Sequence, residues 1–225
     1  DEYPADRGWE ELFVCSAKGT HHGRSWESIM EGAAEPEPLE RNPGEILKMG
    51  YGKDLLYGSS DKGNQHDETA VTRAVSAIER FSAEDKPWAV FVGSIMPHAP
   101  YVVPKKYVDM YDLNDIKLPE NYFDNLRDKP NYYRKLREMR FGQLSELEVK
   151  DAIRHFWAMC TYLDDLFGRL LDTLDRTGQR ENTLVLYCSD HGDYLGEHGL
   201  FHKGVPSFLS AYHVPAVIRW PAGID

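Results

Sequence analysis

Long apolar runs are missing from this chain of 225 residues. No stretch approaches the roughly twenty residues that a helix needs to cross a bilayer, so no membrane span is expected. The amino terminus, Asp1-Glu2-Tyr3-Pro4, has no signal-peptide character. Positive charge is also short, with 26 Lys and Arg against 37 Asp and Glu and a formal net charge of -11. That imbalance repels polyanions at long range and argues against nucleic acid or an anionic membrane surface as partner. A small anionic substrate remains compatible, because a few cations govern the field inside a cleft. Cysteine is scarce. Cys15, Cys160 and Cys188 show no Cys-x-x-Cys spacing, which removes the usual zinc and redox signatures, and the apolar neighbours of Cys160 and Cys188 predict buried thiols. Nothing repeats and no low-complexity linker divides the chain. With 41% hydrophobic residues, the chain has enough apolar material for the core of one domain or a large part of a bigger one.

What is present centres on residues 183–204. Thr183-Leu184-Val185-Leu186-Tyr187 is an unbroken β-rich apolar run and reads as a strand buried on both faces. It ends in Ser189-Asp190-His191-Gly192, an acid and an imidazole at the carboxyl end of a strand, where open α/β sheets bind ligands. In an extended strand Asp190 and His191 point to opposite faces, so both reach one ion only if the strand has ended, as Gly192 suggests. A carboxylate beside an imidazole suits a divalent cation. Calcium or magnesium is favoured if the other ligands are oxygens, zinc or manganese if nitrogens join. Asp and Gly are also common turn residues, and on the dipeptide alone a plain turn is the commoner use.

The longer string Ser189-Asp190-His191-Gly192-Asp193-Tyr194-Leu195-Gly196-Glu197-His198-Gly199-Leu200-Phe201-His202-Lys203-Gly204 is followed by Ala211-Tyr212-His213-Val214-Pro215, and Pro97-His98-Ala99-Pro100 stands well upstream. Together these segments closely resemble the signature of the type I sulfatases of the alkaline-phosphatase-like superfamily. The resemblance implies an incomplete alkaline-phosphatase-like fold, α/β with a mostly parallel sheet flanked by helices, and hydrolysis of a sulfuric ester with a sulfated small molecule or saccharide as partner. It implies Asp190 and His191 as metal ligands, calcium by family preference, and His98 and Lys203 as the catalytic pair that contacts the sulfate and protonates the leaving oxygen.

Alternating elements support the α/β class independently. A helix is predicted from about His66, capped by Asp67 or Thr69, with Ala70, Val71, Ala74, Val75, Ile78 and Phe81 as its inward stripe. Trp88 to Ile95 reads as a second buried strand leading to His98. A short helix is expected around Lys105 to Met110, and Ser145-Glu146-Leu147-Glu148 opens the longest helix, which Gly178 ends. Ala216 to Trp220 reads as a final strand. The Asp164-Asp165 pair diverges on a helix and reads as a polar edge, and the basic, aromatic run from Lys129 to Arg140 reads as a solvated face or, less commonly, a cleft border. His21-His22 reads as an exposed loop pair. His198 and His202 stand outside the catalytic set.

One part of the family pattern is absent. The resemblance implies a formylglycine nucleophile made from Cys or Ser in a Cys/Ser-x-Pro/Ala-x-Arg string, and Cys15-Ser16-Ala17-Lys18-Gly19 does not match it. Pro4 to Phe13 resembles the family segment that follows the catalytic amino-terminal strands. Residues 1–225 are therefore expected to be part of one catalytic domain, without its nucleophile-bearing portion and carboxyl-terminal subdomain, and inactive alone. Two alternatives stay open: a phosphonate monoester or phosphodiester hydrolase of the same superfamily, and a non-catalytic cation- or sugar-binding relative.

Overall fold

The computed structural model describes residues 40–48, 52–204 and 207–224. Cys15, the His21-His22 pair and the segment from Pro4 to Phe13 lie outside the described residues. In chain order the elements begin with β1 (Glu45–Lys48), β2 (Gly52–Leu55), β3 (Tyr57–Ser59), helix α1 (Gln65–Phe81), β4 (Tyr101–Val103) and the short α2 (Lys105–Val108). Then come α3 (Asn131–Leu136), which runs into a π-helical turn (Arg137–Phe141), the long α4 (Glu146–Arg176), β5 (Val185–Cys188), α5 (Leu209–Tyr212) and β6 (Ala216–Arg219).

Helix α4 is the axis of the core. Ser145 and Glu148 start it with a reciprocal capping box. Val149, Ala152, Ile153, Met159, Tyr162 and Leu166 recur at three- to four-residue spacing and are buried against α1, β3 and β4. Each of the larger aliphatic side chains among them contributes about 1.5–3 kcal/mol on removal from water. Gly178 ends the helix at φ +71, a left-handed backbone that needs no Cβ, and the Gln179 N–H closes back on the Leu174 carbonyl at 2.8 Å. Helix α1 presents Val71, Ala74 and Ile78 to α4. The Tyr162 hydroxyl and the Arg169 guanidinium both donate to the Glu68 carboxylate, at 2.7 and 2.8 Å, tying the two helices at their rim.

The α/β class holds. Strands β3 and β4 form a parallel ladder, Tyr57 facing Tyr101 and Ser59 facing Val103, while β1–β2 and β5–β6 are antiparallel. Four expectations need correction. Asn64 caps α1, accepting the His66 and Asp67 N–H groups at 3.1 and 3.2 Å, and Asp67 instead turns inward. No strand forms over Trp88 to Ile95, where Phe91 is 81% exposed; the run is apolar, but among the described residues no strand pairs with it. Strand β5 is covered on one side only: Tyr187 meets Phe167 of α4 at 5.4 Å, whereas Leu186 and its cross-strand partner Ile218 are 55% and 54% exposed. Cys160 and Cys188 are both exposed as residues. The Cys160 thiol is nevertheless pushed up to about 11 by surrounding protein, so residue exposure overstates its access to water.

Candidate active site

The Pro97–Pro100 turn and the loop after β5 bring together residues far apart in sequence. His98 donates from Nδ1 to the Ala99 carbonyl at 2.6 Å, which leaves Nε2 as the acceptor, and Nε2 meets the Lys203 ammonium. The same device repeats in His191, whose Nδ1 donates to the Gly192 carbonyl at 2.8 Å. Its Nε2 then faces the Asp190 carboxylate at 3.7 Å. The rings of His98 and His191 lie 5.9 Å apart, nearly perpendicular at 74°. All four residues singled out from the sequence thus stand in one cluster, with the Asp190 side chain 88% exposed at its open side.

Gly192 explains how the loop turns so tightly beside α5. A Cβ there would lie 1.9 Å from the Ser210 carbonyl oxygen, while its own N–H donates to the Ala211 carbonyl at 2.9 Å. A side chain at this position would push the loop off α5 and carry His191 with it.

Two carboxylates that sequence reasoning passed over hold the cluster. Asp67, buried in the first turn of α1, accepts the Ser94 hydroxyl at 2.6 Å and the Ile95 and Met96 N–H groups at 3.0 and 2.9 Å. Burial works to raise its carboxyl, but these bonds and the one from His66 outweigh it and hold the group below its ordinary value. The result is a clamp on the backbone leading to His98. Asp193 accepts the Tyr101 hydroxyl at 2.8 Å and the Leu195 and His202 N–H groups at 2.9 and 3.0 Å. Tyr101 follows His98 by three residues and His202 adjoins Lys203, so one carboxylate ties both limbs of the site. Its residue keeps some exposed surface, yet burial of the carboxylate pushes its pKa up. A buried polar pair between distant segments leaves no mark in hydropathy, and the available signal was only that Asp193 sits in the motif.

Two further motif histidines, His198 and His202, lie outside the cluster. His198, at φ +53, meets Asp124 at 2.8 Å and Asn121 at 3.1 Å and stacks on Phe208. His202 is drawn down to about 4 by burial, with Arg140, His98 and Lys203 adding repulsion, and its Nε2 has no hydrogen-bond partner among the described residues. The basic run ending at Arg140 is spent on structure too, since Arg137 donates to the Asp124 carbonyl and Arg140 faces Asp54 at 3.7 Å.

As a metal site the arrangement is half complete. Among the described residues no group of three or more His, Cys, Asp or Glu side chains converges on one point. Asp190 and His191 do offer one carboxylate oxygen and one ring nitrogen facing each other, donor types that a divalent cation takes.

The fold is shared with known hydrolases. The phosphonate monoester hydrolase of Agrobacterium radiobacter superposes with a TM-score of 0.59 at 25% identity, over 68% of this chain and 33% of that one. That likeness sets the chain in the alkaline-phosphatase-like superfamily. The family model described as Sulfatase matches residues 7–225, and the chain belongs to the sulfatase family. The choline-sulfatase of Rhizobium meliloti is 30% identical over 98% of this chain and 40% of its own length. The ulvan-active sulfatase of Formosa agariphila is 30% identical over 96% of this chain and 41% of its own length. The chain therefore spans about two fifths of the length of these relatives.

Proposed function

We infer that these 225 residues are part of a single sulfatase catalytic domain that cleaves a sulfate monoester. The observation that carries this reading is the Lys203 to His98 hydrogen bond beside the His191 ring, three groups from two distant segments gathered at one opening. Family membership supports the same reaction. Ester cleavage needs an in-line nucleophile, charge on the non-bridging oxygens and a proton for the leaving oxygen. Lys203 supplies a fixed positive charge to the sulfate oxygens. That ammonium donates to His98 Nε2, and the same group stands ready to protonate the departing oxygen. Asp190 Oδ1 and His191 Nε2 would hold the divalent cation, calcium by family resemblance, which adds Lewis-acid charge when bound. A formylglycine nucleophile belongs to a portion upstream of this segment, and the exposed apolar face of β5–β6 supports further elements of the domain packing over it. The substrate is a sulfated small molecule or saccharide, as the names of the choline and ulvan relatives suggest.

A second reading, hydrolysis of phosphonate monoesters, draws on the likeness to the Agrobacterium enzyme. The full-length protein carrying this sequence separates the two when assayed on 4-nitrophenyl sulfate and 4-nitrophenyl phenylphosphonate. A higher kcat/KM on the sulfate is expected. A higher value on the phosphonate moves the chain to the second reading, and no turnover of either ester leaves a non-catalytic binder.

A further inference from the structure

Two cavities stand out among the described residues. One, of about 430 Å³, runs along the outer face of α1 past Glu68, Thr69 and Thr72, away from the four-residue cluster, and has no chemistry of its own. The other, of about 470 Å³, shares His98 with the cluster and extends away from it between Ser60, Lys62, Asn64, Gln65 and Pro100. Its volume falls in the range of about 300–1,000 Å³ usual for small-molecule sites. Its lining is unusual for this protein. In a chain with 37 acidic residues and a net charge of -11, no Asp or Glu of the described residues lines it. Lys62 is exposed, and its ammonium makes no ion pair among the described residues.

An unpaired cation in a cleft without carboxylates attracts anions and repels cations. The Ser60 hydroxyl and the Asn64 and Gln65 amides border the same space beside Ile95, Val102 and Met159, a mixed lining that suits a sugar ring with its polar edge and apolar face. We propose that this cavity is the subsite for the alcohol portion of the substrate, and that Lys62 selects a saccharide carrying a second negative charge, a carboxylate or another sulfate, and selects against a quaternary ammonium such as choline. The inference rests on the sulfatase reading, because the ester to be cleaved must sit at His98 and Lys203 for the rest of the molecule to enter here. It parts company with the choline-sulfatase relative in substrate while keeping its reaction.

The test uses the full-length protein carrying this sequence, with 4-nitrophenyl sulfate as reporter and two competing ligands, glucosamine N,6-O-disulfate and choline sulfate. The disulfate is expected to inhibit the native protein more strongly than choline sulfate. Lys62→Glu should weaken the disulfate by about tenfold or more, the loss expected for a charge-assisted hydrogen bond replaced by repulsion. The same substitution should strengthen choline sulfate, and Lys62→Arg should restore the native order. Inhibition constants that ignore Lys62→Glu, or that move in the same direction for both ligands, overturn the subsite while leaving the sulfatase reading intact. A native protein that cleaves no sulfate ester brings down both, so the two failures are told apart by the reporter alone.

Discussion

The body around α4 and the ladder β5–β6 both carry apolar residues that read as core, and these end in opposite states. Leu166 of α4 is buried on all sides, whereas Leu186 of β5 stands half in water. The difference teaches that an apolar stretch records burial in the finished protein and not the partner that provides it. Helix α4 finds its partners inside this segment, in α1, β3 and β4. The outer side of β5 does not find one among the described residues, and the Asp190-His191 loop follows directly on this strand.

The comparison breaks most visibly under truncation. Leu166→Ala is expected to lower the unfolding free energy of the 225-residue chain by about 3 kcal/mol, as cavity formation in a packed core does. Leu186→Ala should change it by less than about 0.5 kcal/mol, as at a surface site. Urea unfolding checks both, and equal losses would contradict the contrast. In the full-length protein Leu186→Ala should become costly if further elements cover that face.

Next in size is the clamp. Asp67→Ala strips the Ser94, Ile95 and Met96 donors of their acceptor and should cost about 2–3 kcal/mol. In the full-length protein it should also lower kcat by freeing the turn that bears His98. Thermal melts and steady-state kinetics read the two effects, and Asp67→Asn should fall between.

Acid sharpens the comparison on the body side. The Arg41 guanidinium holds Glu148 at about 2, below its ordinary 4.5, with one oxygen 2.9 Å from Nη2. A depressed carboxylate stabilises the fold above its unfolded pKa and loses that contribution as pH falls through the folded value. Here about 1–2 kcal/mol should disappear between about pH 4.5 and 2, discounted for partial exposure. Glu148→Gln should flatten that part of the pH–stability curve. His202, held at about 4, adds a loss that begins higher: its protonated form is disfavoured in the fold, so stability drops from about pH 6.5 downward. Chemical unfolding across this pH range checks both signs.

The smallest effect concerns the clasp between the two limbs of the site. Tyr101→Phe removes the donor to Asp193 and should cost about 1 kcal/mol. Its signature is a fall in kcat of the full-length protein larger than that stability change explains, because His98 and Lys203 lose their common tether.

Much of the site is legible in the sequence because its chemistry is local. Asp190, His191 and Lys203 lie in one string and His98 between two prolines, and each stands in the cluster. The long helix is legible for a similar reason, since its capping box and apolar period are read within a few turns. What escapes is whatever depends on distance. Asp67 reads as a cap until Ile95 and Met96, 28 and 29 positions away, are seen to bind it. Asp193 is only one letter of the motif until Tyr101, 92 positions away, is seen to donate to it. The run from Trp88 to Ile95 shows the converse error, in which β-rich composition predicts a strand although no described strand pairs with it.

A double-mutant cycle on His98 and Lys203 in the full-length protein, followed by kcat/KM on 4-nitrophenyl sulfate, tests the shared site most directly. If the two side chains act through one proton and one sulfate, each alanine substitution should cost about a hundredfold or more, and the double variant should be little worse than the poorer single one. Losses that multiply as for independent residues, or a single substitution that leaves the rate unchanged, would contradict the account.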